Sequence, residues 1–218
     1  MAGSRKTRVA ILISGRGSNM VSLIEAAKAP DFPAEIVLVL ANRPAAGGLA
    51  HARAEGIPAR AIDHTSFADR AQFDAALHAA LTAEDIDLVC LAGFMRIFTP
   101  GFVEAWAGRM LNIHPSLLPL FRGTHTHRQA LDAGVRLHGC TVHYVVPELD
   151  AGPIVAQAAV PVRSGDDPDS LAARVIVQEH RLYPAALALV AGGRARLEGD
   201  RVLFAGDAAP ADGALLSL

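Results

Sequence analysis

The 218 residues, 51% hydrophobic and 19% charged, have the length and composition of one globular domain with a sizeable core, and nothing in them reads as disordered. With 20 Lys and Arg against 22 Asp and Glu, the net charge of −2 gives no electrostatic reason to expect a nucleic-acid partner, so a small anionic ligand would need a local site. The apolar run Val9–Ile13 behind the basic Ser4-Arg5-Lys6-Thr7-Arg8 is too short for a signal-peptide core or a membrane span, and later stretches are interrupted by charge, Gly or Pro, which points to a cytoplasmic protein without membrane association.

In chain order, Val9 to Ile13 predicts the first strand, followed by a helix over Ser18 to Lys28. Strands over Glu35 to Leu40, Arg60 to Ile62 and Asp87 to Ala92 then alternate with helices over Gly47 to Glu55 and Phe67 to Leu81. The last of these helices carries Phe67, Ala71, Phe73, Leu77 and Leu81 at roughly helical spacing, a face that serves packing. Such a βαβ series predicts an α/β fold, Rossmann-like and doubly wound, with a mostly parallel sheet. Cys90 and Cys140 both sit in apolar, strand-like runs and read as small core residues of a reduced compartment rather than as a disulfide.

The loop between the first strand and helix, Ser14-Gly15-Arg16-Gly17-Ser18-Asn19, would aim free backbone N–H groups and the positive end of the helix dipole at an anion. It is not a dinucleotide fingerprint, because Met20 stands where the third glycine belongs and Ala41-Asn42-Arg43 replaces an acidic strand end. It is not a Walker loop either, having no Gly-Lys-Ser/Thr. The bland alternative is a tight turn capped by Ser18 or Asn19. The functional reading is a single phosphate held by Gly17, Ser18 and Asn19.

Met110 to His114 predicts a strand end, and alternation along it turns Asn112 and His114 to one side, just before the proline-bounded Pro115-Ser116-Leu117-Leu118-Pro119. An amide donor and an imidazole aimed at one point suit an oxyanion. A short helix over Thr126 to Ala133 follows, and then two runs, Thr141 to Val146 and Ile154 to Val162, which Pro147-Glu148-Leu149-Asp150-Ala151-Gly152-Pro153 would join as an antiparallel pair. Asp150 on that turn offers a carboxylate that would orient an imidazole and stabilise its charged form. Taken singly, Asn112 reads equally as a turn former, His114 as a satisfied buried histidine and Asp150 as a turn cap.

A long helix is expected over Pro168 to Ala191, kinked or broken at Pro184. Short strands Arg194 to Leu197 and Arg201 to Phe204 would flank the turn Glu198-Gly199-Asp200, and a loose tail would begin at Ala205. The expected organisation is one domain over 1–204 and a tail over 205–218, with an antiparallel portion closing the sheet. His125, His127, His138 and His143 lack a carboxylate or thiolate at ligand spacing, so no metal is expected and these rings are read as hydrogen-bonding groups near the cleft.

Together SGRGSN at Ser14–Asn19, AGFMR at Ala92–Arg96, NIHPSLLP at Asn112–Pro119, His125-Thr126-His127 and ELDAGP at Glu148–Pro153 resemble the folate-dependent formyltransferases, and among them the phosphoribosylglycinamide formyltransferase family, from about Val9 to Ala191. The resemblance implies transfer of a formyl group from 10-formyltetrahydrofolate, as co-substrate, to the amine of glycinamide ribonucleotide in purine biosynthesis. It implies Asn112, His114 and Asp150 as the catalytic trio, with His114 as general acid, Asn112 holding the formyl oxygen and Asp150 tuning His114. By the SGRGSN loop Gly17, Ser18 and Asn19 would hold the ribonucleotide, and by Val177-Gln178-Glu179-His180 so would Glu179, whose bland alternative is an acid on a solvated helix face. Arg70, Met95, Arg96, Ile97, Phe98 and Asn112 would meet the folate, with Val146, Pro147, Glu148, Leu149 and Asp150 closing over the pteridine. Leu120-Phe121-Arg122 departs from the Lys-aromatic-Pro found in many members. The early first strand and the short stretch after the long helix set an expectation against the regulatory domain of a formyltetrahydrofolate hydrolase and the extra domain of a methionyl-tRNA formyltransferase. A non-catalytic nucleotide-binding domain is the alternative of another class. A monomer or homodimer is expected.

Overall fold

The computed structural model describes residues 5–205. The predicted tail, apart from Ala205, lies outside the described residues. In chain order the elements are β1 (Thr7–Ile13), α1 (Ser18–Ala27), β2 (Ala34–Ala41), α2 (Gly48–Ala54), β3 (Ala59–Ala61), α3 (Arg70–Thr82), β4 (Leu88–Leu91), α4 (Pro100–Ala105), β5 (Met110–His114), α5 (Thr126–Asp132), β6 (Leu137–Tyr144), β7 (Ile154–Pro161), α6 (Pro168–Ala191), β8 (Ala195–Glu198) and β9 (Arg201–Phe204). A seven-stranded sheet has the order β3-β2-β1-β4-β5-β6-β7, and β8-β9 form a separate pair. The predicted α/β class, mostly parallel with antiparallel strands toward the C-terminus, is the class observed.

The chain divides into two compact units, residues 1–112 with 145–147, and residues 113–144 with 148–218. In the first, β1 pairs in parallel with β2 and β4, β2 with β3 and β4 with β5. Val9 to Ile13 are at 0% exposure, so β1 is covered on both faces, as a near-continuous apolar run in a parallel sheet requires. Leu12, Leu38, Phe73, Leu77, Leu81, Trp106 and Met110 form a core there. In the second unit β6 and β7 are antiparallel, with a register shift between Val142 and His143. Cys90 on β4 and Cys140 on β6 are buried free thiols, and burial pushes the Cys140 thiol up to about 12.

Several boundaries differ from the sequence reading. α3 begins at Arg70 because the Asp69 side chain accepts from the Gln72 N–H and sets the N-cap, leaving Phe67 ahead of the helix and Ala71 exposed. A 3-10 turn, His64–Ser66, precedes it. β6 starts at Leu137, earlier than Thr141. α4 carries no periodic signal in its short sequence, yet Thr99 caps it and Pro100 opens it. Of the kink or break expected at Pro184, the break does not occur: α6 runs as one helix through it. A capping box between Asp167 and Ser170 and a buried stripe of Leu171, Val175, Tyr183, Ala186 and Leu187 hold the helix where the proline forfeits one backbone bond. Among the described residues no helix is long and apolar enough to cross a membrane.

Candidate active site

In the second unit, β5 ends at His114 and the chain enters a loop fixed by side-chain-to-backbone bonds. The Thr141 hydroxyl on β6 donates to the Ser116 carbonyl at 2.7 Å and accepts from the Leu118 N–H at 3.0 Å. Gln157 Nε2 on β7 donates to the Leu118 carbonyl at 2.9 Å. Thr126 at the start of α5 donates to the Pro115 carbonyl at 2.7 Å. The Leu118–Pro119 peptide is cis. The Pro115, Ser116 and Leu118 carbonyls and the Leu118 N–H are thus paired with side chains, and His114, 4% exposed, stands just before this loop.

His114 Nδ1 lies 3.4 Å from Asp150 Oδ2, with side-chain exposures of 6% and 8%. His114 Nε2 lies 3.0 Å from the Phe121 carbonyl oxygen. A carbonyl only accepts, so Nε2 is the donor in that bond, and Nδ1 is the nitrogen that faces the carboxylate. The Gly123 N–H donates to Asp150 Oδ2 at 2.8 Å, so one oxygen faces both the loop backbone and the imidazole. Asp150 holds this place in a left-handed conformation, φ 50°, which Asp tolerates better than bulky residues do. Phe121 is left-handed too, φ 56°, an unfavourable state for an aromatic side chain, and its carbonyl is the one that meets His114. The departure at Leu120-Phe121-Arg122 therefore lies against the imidazole itself.

Other histidines surround this pair. His143 Nε2 stands 3.9 Å from Asp150 Oδ1, and its Nδ1 donates to the Tyr144 carbonyl at 2.9 Å. Burial pushes the His143 imidazole below its usual range against the opposing pull of Asp150. His127 and His138 share a hydrogen bond of 3.1 Å. Burial, and then the neighbouring His127 charge, bring His138 down to about 4. Among the described residues no group of three or more His, Cys, Asp or Glu is placed to hold a metal ion. Glu179, on α6, is 6% exposed, so it is no solvated helix acid.

In the first unit the Ser14–Asn19 loop leads into α1 with Gly17, left-handed at φ 71°, at the N-cap in place of the expected Ser18 or Asn19. Backbone conformation, not a side chain, sets this helix start, and the first-turn N–H groups point along the axis. The Ser14 N–H donates to the Gly93 carbonyl at 3.2 Å, and Ser14 Oγ accepts from the Met95 N–H at 2.8 Å. Met95 and Ile97 are 71% and 57% exposed, while Phe98 is buried in a stack between Phe94 and Phe102. The Arg96 guanidinium lies over the Phe73 ring at 4.8 Å. Arg70 is exposed at the first turn of α3, and Asn112 is half-buried, two residues before His114 on β5. Val146 is half-buried; Pro147, Glu148 and Leu149 are exposed. The structure thus brings His114 and Asp150 together, and Ser14 to Met95; the remaining site residues stand at the places described, each within its own unit.

The formyl transferase family profile matches residues 7–187. The chain belongs to the formyl transferase family. Phosphoribosylglycinamide formyltransferase of Escherichia coli strain K12 is 43% identical, over 94% of this chain and 97% of that protein. The trifunctional purine biosynthetic protein adenosine-3 of Bos taurus is 51% identical over 92% of this chain, which spans only 20% of that longer relative. The crystal structure of glycinamide ribonucleotide transformylase 1 from Symbiobacterium toebii superposes with a TM-score of 0.90 at 44% identity, covering 93% of this chain and 95% of that one. Sequence reasoning missed Phe121 and Gly123, whose backbone groups meet His114 and Asp150. It missed the placement of His143 too, whose histidine was visible but whose neighbour was not.

Proposed function

We propose that the protein transfers the formyl group of 10-formyltetrahydrofolate to the amine of glycinamide ribonucleotide, a step of purine biosynthesis. The 3.4 Å approach of His114 to Asp150, made by two of the motifs that carry the resemblance, NIHPSLLP and ELDAGP, carries the reading. In it, the uncharged amine adds to the formyl carbon and the carbonyl electron pair moves to oxygen. Asn112 and His114, turned to one side of β5 by strand alternation, donate N–H groups to that oxygen. The formyl oxygen takes the place on His114 Nε2 that the Phe121 carbonyl fills here. Asp150 holds the ring and offsets its charge. Collapse breaks the bond to N10 of the folate, which takes up one proton as the substrate nitrogen gives one up.

The Gly17, Ser18 and Asn19 backbone at the start of α1 supports the phosphate assignment, and the burial of Glu179 supports a ligand-facing role over a solvated one. Exposed Met95 and Ile97, with Arg96 and Phe98 anchored beneath them, suit a segment that offers its backbone to a heterocycle. Arg70 and the Val146, Pro147, Glu148 and Leu149 run toward Asp150 complete the folate assignment. The purified protein should consume 10-formyltetrahydrofolate only when glycinamide ribonucleotide is present. Equal consumption without the amine would identify a hydrolase, and no consumption in either case a binding module.

A further inference from the structure

The loop assigned to the nucleotide and the segment assigned to the folate are fastened to each other by one side chain. Both leave the C-terminal ends of adjacent parallel strands, β1 and β4, where open α/β sheets bind their ligands. Ser14, 9% exposed, closes a small ring: its N–H reaches the Gly93 carbonyl, and its hydroxyl oxygen takes the Met95 N–H. The Met95 side chain is 71% exposed, so at this residue the backbone is held by the Ser14 hydroxyl and by the packing of its neighbours Phe94, Arg96 and Phe98. On its other side the loop packs closely against the start of α2. The Gly48 N–H at the start of α2 donates to the Gly15 carbonyl at 3.1 Å, and a Cβ on Gly48 would come within 2.6 Å of Ile13 Cδ1 and 3.1 Å of the Arg16 carbonyl oxygen. A shift in the loop at Ser14 is therefore passed directly to the Gly93 carbonyl and the Met95 N–H.

We propose that Ser14 is a positioning residue that couples the two substrate sites, so that the ligand ordering the Ser14–Asn19 loop also sets the backbone that receives the folate. This rests on the functional reading above. Ordering contributed by the first ligand need not be contributed again by the second, so each raises the affinity for the other by the same factor.

The test measures binding of glycinamide ribonucleotide with and without saturating tetrahydrofolate, which carries no formyl group and so permits no turnover. In the unaltered protein the affinity should rise about 5-fold or more. In Ser14→Ala both ligands should still bind alone while the factor falls to near one, and Ser14→Thr, which keeps the hydroxyl, should restore it. An equal factor in Ser14→Ala and the unaltered protein, or a factor of one in the latter, would overturn the coupling and leave the enzyme assignment standing. Failure of the unaltered protein to bind glycinamide ribonucleotide at all would overturn the assignment and the coupling together. Independently of any variant, hydrogen exchange at the Met95 amide should slow several-fold when glycinamide ribonucleotide alone is added; an unchanged rate counts against the coupling.

Discussion

At the scale of single residues, Asp150 combines two tasks that a substitution separates. Its Oδ2 accepts the Gly123 N–H and faces His114 Nδ1, while its left-handed backbone forms the turn. Asp150→Asn keeps the turn, because Asn tolerates the same conformation, and keeps an acceptor for Gly123. It removes the charge beside the imidazole. The expected result is a kcat lowered by about two orders of magnitude or more, as for other preorganised charge or donor losses, with the folate KM changed far less. A pH–rate profile and kcat equal to those of the unaltered protein would show that Asp150 serves the turn alone. His114 and Asp150 were legible as candidates because their flanking motifs are distinctive. The Phe121 carbonyl and the Gly123 N–H were not, since every residue carries such groups and only the fold decides where they point.

At the scale of elements, the parallel half of the sheet was readable because β-branched runs and glycine punctuation recur at strand and helix lengths. What escaped was short or capped from outside. α4 is one such element, and its N-terminus depends on a bond from another helix: Asp74 of α3, 3% exposed, accepts the Thr99 N–H at 2.7 Å. That bond also anchors the far end of the Met95–Phe98 segment. Asp74→Ala leaves the Thr99 N–H without its acceptor and should cost about 1–3 kcal/mol in urea unfolding, with Asp74→Asn costing less. Equal costs in the two variants would mean that the carboxylate charge, which both lose, and not the acceptor at that place, matters. Pro184 shows the reverse case. A local rule predicted a kink or a break, and no break occurs where the helix face is buried on either side of the proline.

For the molecule as a whole, stability should depend on pH through histidines that burial keeps neutral. In the folded chain His138 titrates at about 4, against an ordinary value of 6.5, with His127, His114 and the Phe121 ring as its neighbours. Between those values the unfolded chain binds the proton and the folded chain does not, so stability is full above about pH 6.5 and declines as pH falls toward about 4. His127 and His143 shift in the same direction. Urea midpoints across this range should fall with acid, less steeply in His138→Gln; identical slopes would remove His138 from the acid response. The sequence placed these rings near a common region, but their depression required knowing which strands cover them.

The two thiols supply a clock for each half of the molecule. Cys90 lies in the first unit and Cys140 in the second, both at 0% exposure, and the Cys140 proton is held to about pH 12. An alkylating reagent attacks only a thiolate it can reach. Labelling in native buffer should therefore proceed only as fast as each strand transiently opens, and mass spectrometry of the two cysteine peptides would time the halves separately. Matching rates would mean that the halves open as one, and unequal rates would identify the weaker of the two. Immediate labelling of either would contradict the burial described for it.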